Sequence, residues 1–90
     1  MVTAFVLINI DRKDVRGLAR TLADLEGVTE VYPVAGEHDL ICVVRVMDNA
    51  RLSQVITDEI IHLDGVRHTK TLFALDAYTD IDLAQAFGLQ

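Results

Sequence analysis

The sequence predicts a two-layer α+β plait of order βαββαβ, a four-stranded antiparallel sheet with two helices on one face. Three observations predict it. Short runs rich in β-branched residues alternate with stretches whose apolar residues recur every three or four positions. The tetrad Leu25-Glu26-Gly27-Val28 returns as Leu63-Asp64-Gly65-Val66, each copy closing a helix and opening a strand. A length of 90 residues leaves room for one such unit and no second domain.

Ala4 to Ile10 (AFVLINI) reads as the first strand. Asp11 is the expected N-cap of the helix that follows, with Asp14 in its first turn. Val15, Leu18, Ala19, Leu22 and Leu25 form one apolar stripe, and Arg12, Arg16 and Arg20 fall on another face. Gly27 ends this helix. Val28 to Ala35 is the second strand, and Pro33, which lacks a ladder donor, places it at an edge. Gly36-Glu37-His38-Asp39 is the hairpin turn. Leu40 to Met47 (LICVVRVM) is the most apolar strand and is expected in the sheet centre. Asp48-Asn49 caps a second helix with the stripe Leu52, Val55, Ile56, Ile60 and Leu63, and Gly65 ends it. Arg67 to Asp76 is the fourth strand. Two tandem split βαβ units put strands one and three in the middle, the ferredoxin-like arrangement.

In such a sheet the helix-free face should show polar residues at every second position. Instead, both alternating sets are largely apolar in the first strand (Ala4, Val6, Ile8, Ile10 against Phe5, Leu7, Asn9). The same holds in the third (Leu40, Cys42, Val44, Val46 against Ile41, Val43, Arg45, Met47). Both faces are expected to be covered, the second by another subunit. A hydrophobic content of 51% in so short a chain agrees with that. The domain is expected over residues 1–76. Residues 77–90 form an extension in which Thr79-Asp80-Ile81-Asp82 resembles a helix start and Leu83, Ala84 and Phe87 make a short stripe. A helix of about two turns is marginal alone, so it is expected to dock on the domain or a neighbour.

A net charge of −6 disfavours direct binding to nucleic acid or an anionic membrane. The single cysteine, Cys42, excludes an intramolecular disulfide and fits the cytoplasm. The N-terminus lacks the basic region and cleavage site of a secretory signal, and no apolar run reaches about 18 residues. His38, Cys42, His62 and His68 show no metal-ligand spacing, and His38 and Cys42 read as a turn histidine and a packed core cysteine. Ser53 sits in the first turn of a helix, outside any nucleophile elbow. Asp58-Glu59 and the arginine stripe read as solvated faces. No phosphate-binding glycine loop is present, and no cofactor is expected. The 36–39 turn carries more: Gly36 lets a ligand or another chain approach the backbone, turn amides suit a carboxylate, and Asp39 suits an ammonium. Gly36 and Asp39 are also ordinary hairpin residues.

The run Leu25-Glu26-Gly27-Val28-x-x-Val31-Tyr32-x-Val34-x-Gly36-x-x-Asp39 resembles the effector domain of the Lrp/AsnC feast/famine regulators, the RAM domain (regulation of amino-acid metabolism). Gly65-Val66-x-x-Thr69-x-Thr71 is similar to that family's closing strand. The likeness runs from about Thr3 to Leu75, and Ala77-Tyr78-Thr79-x-x-Asp82-Leu83 further resembles members made of this domain alone. Many relatives carry an aromatic residue directly after the turn aspartate, where this chain has Leu40.

The resemblance implies the βαββαβ plait, dimers packed sheet to sheet as an α+β barrel, and assembly into higher oligomers such as octamers. It also implies a small effector, commonly an amino acid, bound between dimers. By position, its ligand-binding residues are Gly36, Glu37, His38, Asp39, Thr69 and Thr71. Full-length relatives add a DNA-binding domain, for which ninety residues leave no room, so any transcriptional role is expected to be indirect, through a full-length Lrp/AsnC regulator. The expected function is therefore that of a non-enzymatic sensing and oligomerisation module. Two alternatives are a dimeric α+β barrel enzyme using His38 or His68 as an acid–base group, and a pure assembly scaffold.

Overall fold

The computed structural model describes residues 1–11 and 13–79. The expected helix at residues 80–90 and the side chain of Arg12 lie outside them. Strand β1 spans Val2–Ile10, β2 Val28–Pro33, β3 Leu40–Val46 and β4 Val66–Phe73. They form one antiparallel sheet in the order β2-β3-β1-β4, with the two most apolar strands in the centre as expected.

Helix α1 spans Val15–Ala23 and buries Leu18 and Leu22 against the sheet. Its cap differs from the expectation. Asp14, not Asp11, is the N-cap, and its Oδ1 accepts from the Gly17 amide at 2.8 Å. The Asp11 amide instead donates to the Gly65 carbonyl at 3.0 Å, tying the end of β1 to the start of β4. The two copies of the repeated tetrad adopt one conformation: Gly27 and Gly65 have φ of 98° and 95°, a region that L side chains avoid. A Cβ on Gly27 would also lie 2.9 Å from Val46 Cγ1.

The second helical segment is irregular. Asp48 caps it as expected, accepting from the Arg51 amide at 2.8 Å. It then passes from an α-helical turn, α2 (Asn49–Ser53), through a π-helical turn (Gln54–Glu59) into a 3-10 turn (Ile60–His62). Leu52, Val55 and Ile60 of the predicted stripe are buried. The i→i+5 bonding of the π turn shifts the register. Asp58 is exposed as expected, but Glu59 is half-buried and its Oε2 is closed off from solvent.

Cross-strand register assigns the two faces. Ala4, Val6 and Ile8 pair with Val44, Cys42 and Leu40, and this set lies under the helices, fully buried. Each fully buried Leu or Ile contributes about 1.5–3 kcal/mol by leaving water. The other face carries Phe5, Leu7, Ile41 and Val43 at its centre, with Glu30 and Tyr32 toward β2 and Lys70 and Leu72 toward β4. No described helix covers it: Phe5 is 37% exposed and Leu72 46%. No helix among the described residues is long and apolar enough to cross a membrane.

Cys42 lies at the centre of the covered layer with no exposure, and burial pushes its thiol up to about 12 from 9.0. A group whose folded pKa is raised contributes stability below its unfolded pKa and loses it as pH climbs through the folded value. Relative to Cys42→Ala, the wild-type unfolding free energy should therefore decline from about pH 9 upward, by at most about 1.4 kcal/mol per pH unit. Denaturant titrations of both proteins from neutral to alkaline pH measure this, and parallel profiles would show that the thiol is not held protonated by the fold.

Candidate functional site

The hairpin between β2 and β3 is held from outside itself. Its neck closes through the Val34 amide and the Asp39 carbonyl at 3.0 Å. Three further bonds reach across to β1. The Asp39 amide donates to the Ile8 carbonyl at 2.9 Å, the Ile10 amide to Asp39 Oδ2 at 2.8 Å, and Asn9 Nδ2 to the Glu37 carbonyl at 2.7 Å. The Ile10 amide points to the same side as Ile8, beyond the last β1–β3 pair at Ile8 and Leu40, so the Asp39 carboxylate stands where a strand carbonyl would. The end of the β1–β3 ladder is thus satisfied by a side chain of the turn that precedes β3.

Between these fixed points the turn backbone is open. Gly36 sits at φ 133°, and a Cβ built there would meet nothing within 4 Å. Among the described residues, the amides of Gly36, Glu37 and His38 have no hydrogen-bond partner. Asp39 is half-buried and uses one carboxylate oxygen on the backbone. Asn9 and Ile10, which clasp the turn, were not singled out in the sequence. The signal was there for Asn9, the lone polar residue in the set Phe5, Leu7, Asn9.

Thr69 and Thr71 lie elsewhere in the same subunit. They pair with Ile8 and Val6, so they belong to the helix-covered side of β4, on the sheet edge opposite β2. Asp39 and Thr69 flank Ile8 from its two neighbouring strands, about 10 Å apart by interstrand spacing. Thr71 lines a groove of about 500 Å³ between β4 and the second helical segment. Leu52, Ile56 and Phe73 give this groove apolar walls, and Asn49, Ser53 and Thr57 rim it. Ser53 and Thr57 are one turn apart, with the Thr57 hydroxyl bonded to the Ser53 carbonyl. One subunit therefore does not bring all six expected residues into a single pocket.

The remaining titratable candidates stay dispersed. His38 is in the turn, and His68 faces the helix-free side opposite Asn9. Cys42 is buried under the helices. Among the described residues, no three His, Cys, Asp or Glu side chains are placed to hold a metal ion.

Residues 3–82 match the family described as the Lrp/AsnC ligand binding domain. This chain belongs to that family. An uncharacterized HTH-type transcriptional regulator of Pyrococcus abyssi is 34% identical over 77 residues, which are 82% of this chain and 51% of the relative. The chain spans about half the length of the curated relatives it matches. Among solved structures, TTHA0845 from Thermus thermophilus is 44% identical with a TM-score of 0.81. That alignment covers 88% of this chain and 99% of that one. The regulator NMB0573 of Neisseria meningitidis, solved as a complex with L-Met, shares the fold at 21% identity and a TM-score of 0.73. It is covered over 94% of this chain and 58% of its own length. The Lrp/AsnC domain here is thus the βαββαβ plait, with the 36–39 turn at one end of its sheet.

The clasp gives a direct prediction. Asp39→Ala removes the only acceptor described for the Ile10 amide and should cost about 1–2 kcal/mol of stability. Amide exchange at Ile10 should speed up with it. An unchanged melting temperature and unchanged exchange at Ile10 would show that the Asp39 carboxylate does not hold the turn.

Proposed function

We propose that this Lrp/AsnC domain is a cytosolic, non-enzymatic sensing and oligomerisation module that binds an amino acid at the 36–39 turn. The observation that carries the reading is a run of three amides, Gly36, Glu37 and His38, with no partner among the described residues, on a turn clasped to β1. Consecutive N–H groups held rigidly suit a carboxylate without reorganisation on binding. Asp39 Oδ2 is committed to Ile10, and Oδ1 is left to accept from an ammonium. The L-Met complex of the Neisseria relative supports a zwitterionic ligand.

Thr69 and Thr71 complete the shell only across a contact between copies, because β1 separates them from the turn of their own subunit. This supports a ligand held between dimers. The dimer itself forms through the helix-free sheet face, whose apolar centre matches the surplus of apolar residues. Dimers join into a larger ring such as an octamer. A ligand that bridges two dimers binds the assembled form better than the separated one, and by that difference it shifts assembly. The relatives are about twice as long and are HTH-type regulators. A mixed assembly with such a full-length regulator would carry the signal to transcription.

Native mass spectrometry with and without a mixture of the twenty amino acids tests this. The expected spectrum is an even-numbered assembly that gains the mass of an amino acid. Gly36→Ala, which forces a side chain into a positive-φ position, should weaken binding by about ten-fold. An assembly that gains no mass from any amino acid would overturn the ligand reading. Phe5→Asp tests the interface separately, and a single charge there should shift the assembly to monomer in sedimentation at micromolar concentration. If the wild type is itself monomeric, the sheet face is not an interface between copies.

A further inference from the structure

The helix-covered side of the sheet is closed over its centre and open at the end of β4. Helix α2 packs over β3 and β1, and the 3-10 turn Ile60–His62 packs on β4. Pairing with Val6 and Ala4 puts Thr71 and Phe73 on the covered side. Val6 and Ala4 are fully buried there, yet Phe73 is 61% exposed. An aromatic ring on the inner side of the sheet is thus left largely uncovered by the described residues. The gap is the groove of about 500 Å³ walled by Leu52, Ile56 and Phe73, and none of its lining side chains is charged.

The second helical segment borders this groove with Asn49, Leu52, Ser53, Ile56 and Thr57. Steps of three and one keep these positions on one side of the segment, over about 12 Å at about 1.5 Å per residue. Such a seam fits a short helix laid alongside it. The chain leaves the sheet at a wall of the same groove. Phe73 ends β4, and the Ala74 amide donates to the Thr3 carbonyl at 3.0 Å. Leu75 and Tyr78, on the path out, are 99% and 93% exposed. The described residues end at Thr79, and residues 80–90 follow.

We infer that residues 80–90 of the same chain supply the missing cover, as a short third helix that sets Leu83, Ala84 and Phe87 against Leu52, Ile56 and Phe73. Leu83 and Phe87 are four positions apart and share a face, and the small Ala84 beside them lets the backbone come close. Residues 83–90 (LAQAFGLQ) carry no charged side chain, which suits an uncharged groove in a chain of net charge −6. Asp80 and Asp82 fall in the first turn, where carboxylates favour a helix N-terminus. A helix of about two turns is marginal alone, and the apolar walls supply what it lacks. Residues 74–79 make the connection, and strand-to-helix connections within one chain ordinarily take about 2–6 residues. The same chain therefore reaches the groove without help from a neighbour. Thr71 also lines the groove. Resting on the sensing reading above, the seated segment guards Thr71 and must lift before Thr71 joins a ligand shell with another subunit.

Photocross-linking of the full chain with benzoylphenylalanine in place of Phe87, on an equal mixture of isotopically light and heavy protein, reads the seat. The expected product joins residue 87 to Leu52, Ile56 or Phe73, with both halves carrying the same label. Links to those residues with mixed labels would assign the groove to a neighbour's segment, and links elsewhere would empty it; either overturns the inference. Amide exchange decides the matter if the bulky probe disturbs the seat. In the wild type, residues 83–87 should exchange about ten-fold or more slower than in Ile56→Asp, with the β1 amides alike in both proteins. Equally fast exchange of residues 83–87 in both would overturn the seat. Titration with a mixture of the twenty amino acids reads the guard. Phe87→Asp should tighten binding about ten-fold, the factor for a segment that is lifted about one-tenth of the time. Equal binding by the two proteins would show that the segment does not guard Thr71. No binding to either would sink the sensing reading, while the same-label cross-link would still establish the seat.

Discussion

A four-stranded sheet with helices on one side only is the constraint from which the rest follows. Two helical segments suffice to bury one layer: Ala4, Val6 and Ile8 against Leu40, Cys42 and Val44, closed by Leu18, Leu22, Leu52, Val55 and Ile60. Nothing described in the chain does the same for Phe5, Leu7, Ile41 and Val43. Central strands make this sharper than edge strands would. β1 and β3 have neighbours on both sides, so only their faces remain to be satisfied, and both faces are apolar. Val43 is already 4% exposed in the single subunit, sheltered by its neighbours. The edges take the polar load, with Glu30 and Tyr32 on β2 and His68 and Lys70 on β4.

Most of the architecture was legible because it is periodic. The 3–4 spacing of α1, the alternation of β1 and β3, and the repeated Leu-acid-Gly-Val tetrad each state a local geometry, and Gly27 and Gly65 confirm the repeat by adopting nearly the same φ. What escaped was decided by competition or by long range. Asp11 and Asp14 both suit a helix cap by type, and only the position of the Gly17 amide selects Asp14. The stripe Leu52, Val55, Ile56, Ile60, Leu63 is compatible with a regular helix and with one carrying a π turn, so the inward turn of Glu59 left no mark in the spacing.

The candidate site was legible in its residues and not in its mechanics. Gly36 and Asp39 stood out, but the bond that fixes Asp39 runs to Ile10, 29 residues away. The faces of Thr69 and Thr71 could not be read either. Strand β4 alternates between Arg67, His68, Thr69, Lys70 and Thr71, polar on both sides, so periodicity offers no inner face. Only pairing with Val6 and Ile8 settles it. The polar cluster in which Arg45 donates to Thr29 and Glu30, and Tyr32 to Glu30, is similar. Its members come from two strands, and the register shift between Val28 and Glu30 brings Thr29 to the Val43 carbonyl.

Asn9 joins the two halves of the molecule's chemistry. Its backbone position puts it on the helix-free face, one row beyond Leu7 and opposite His68. Its side chain leaves that face and donates to the Glu37 carbonyl in the turn. Under the proposed function, Asn9 is the residue through which a covered face and an occupied turn would bear on one another, the face through its backbone and the turn through the peptide that its side chain holds. Restriction from either side reduces the freedom left for the other to remove, which is the condition for positive coupling without a large change of shape. The same reasoning bounds its size. One neutral hydrogen bond is worth about 0.5–1.5 kcal/mol net, so coupling through Asn9 alone amounts to about ten-fold at most in affinity. A stronger response would require the ligand to touch both copies, as in the proposed shell that adds Thr69 and Thr71 of another subunit to the turn.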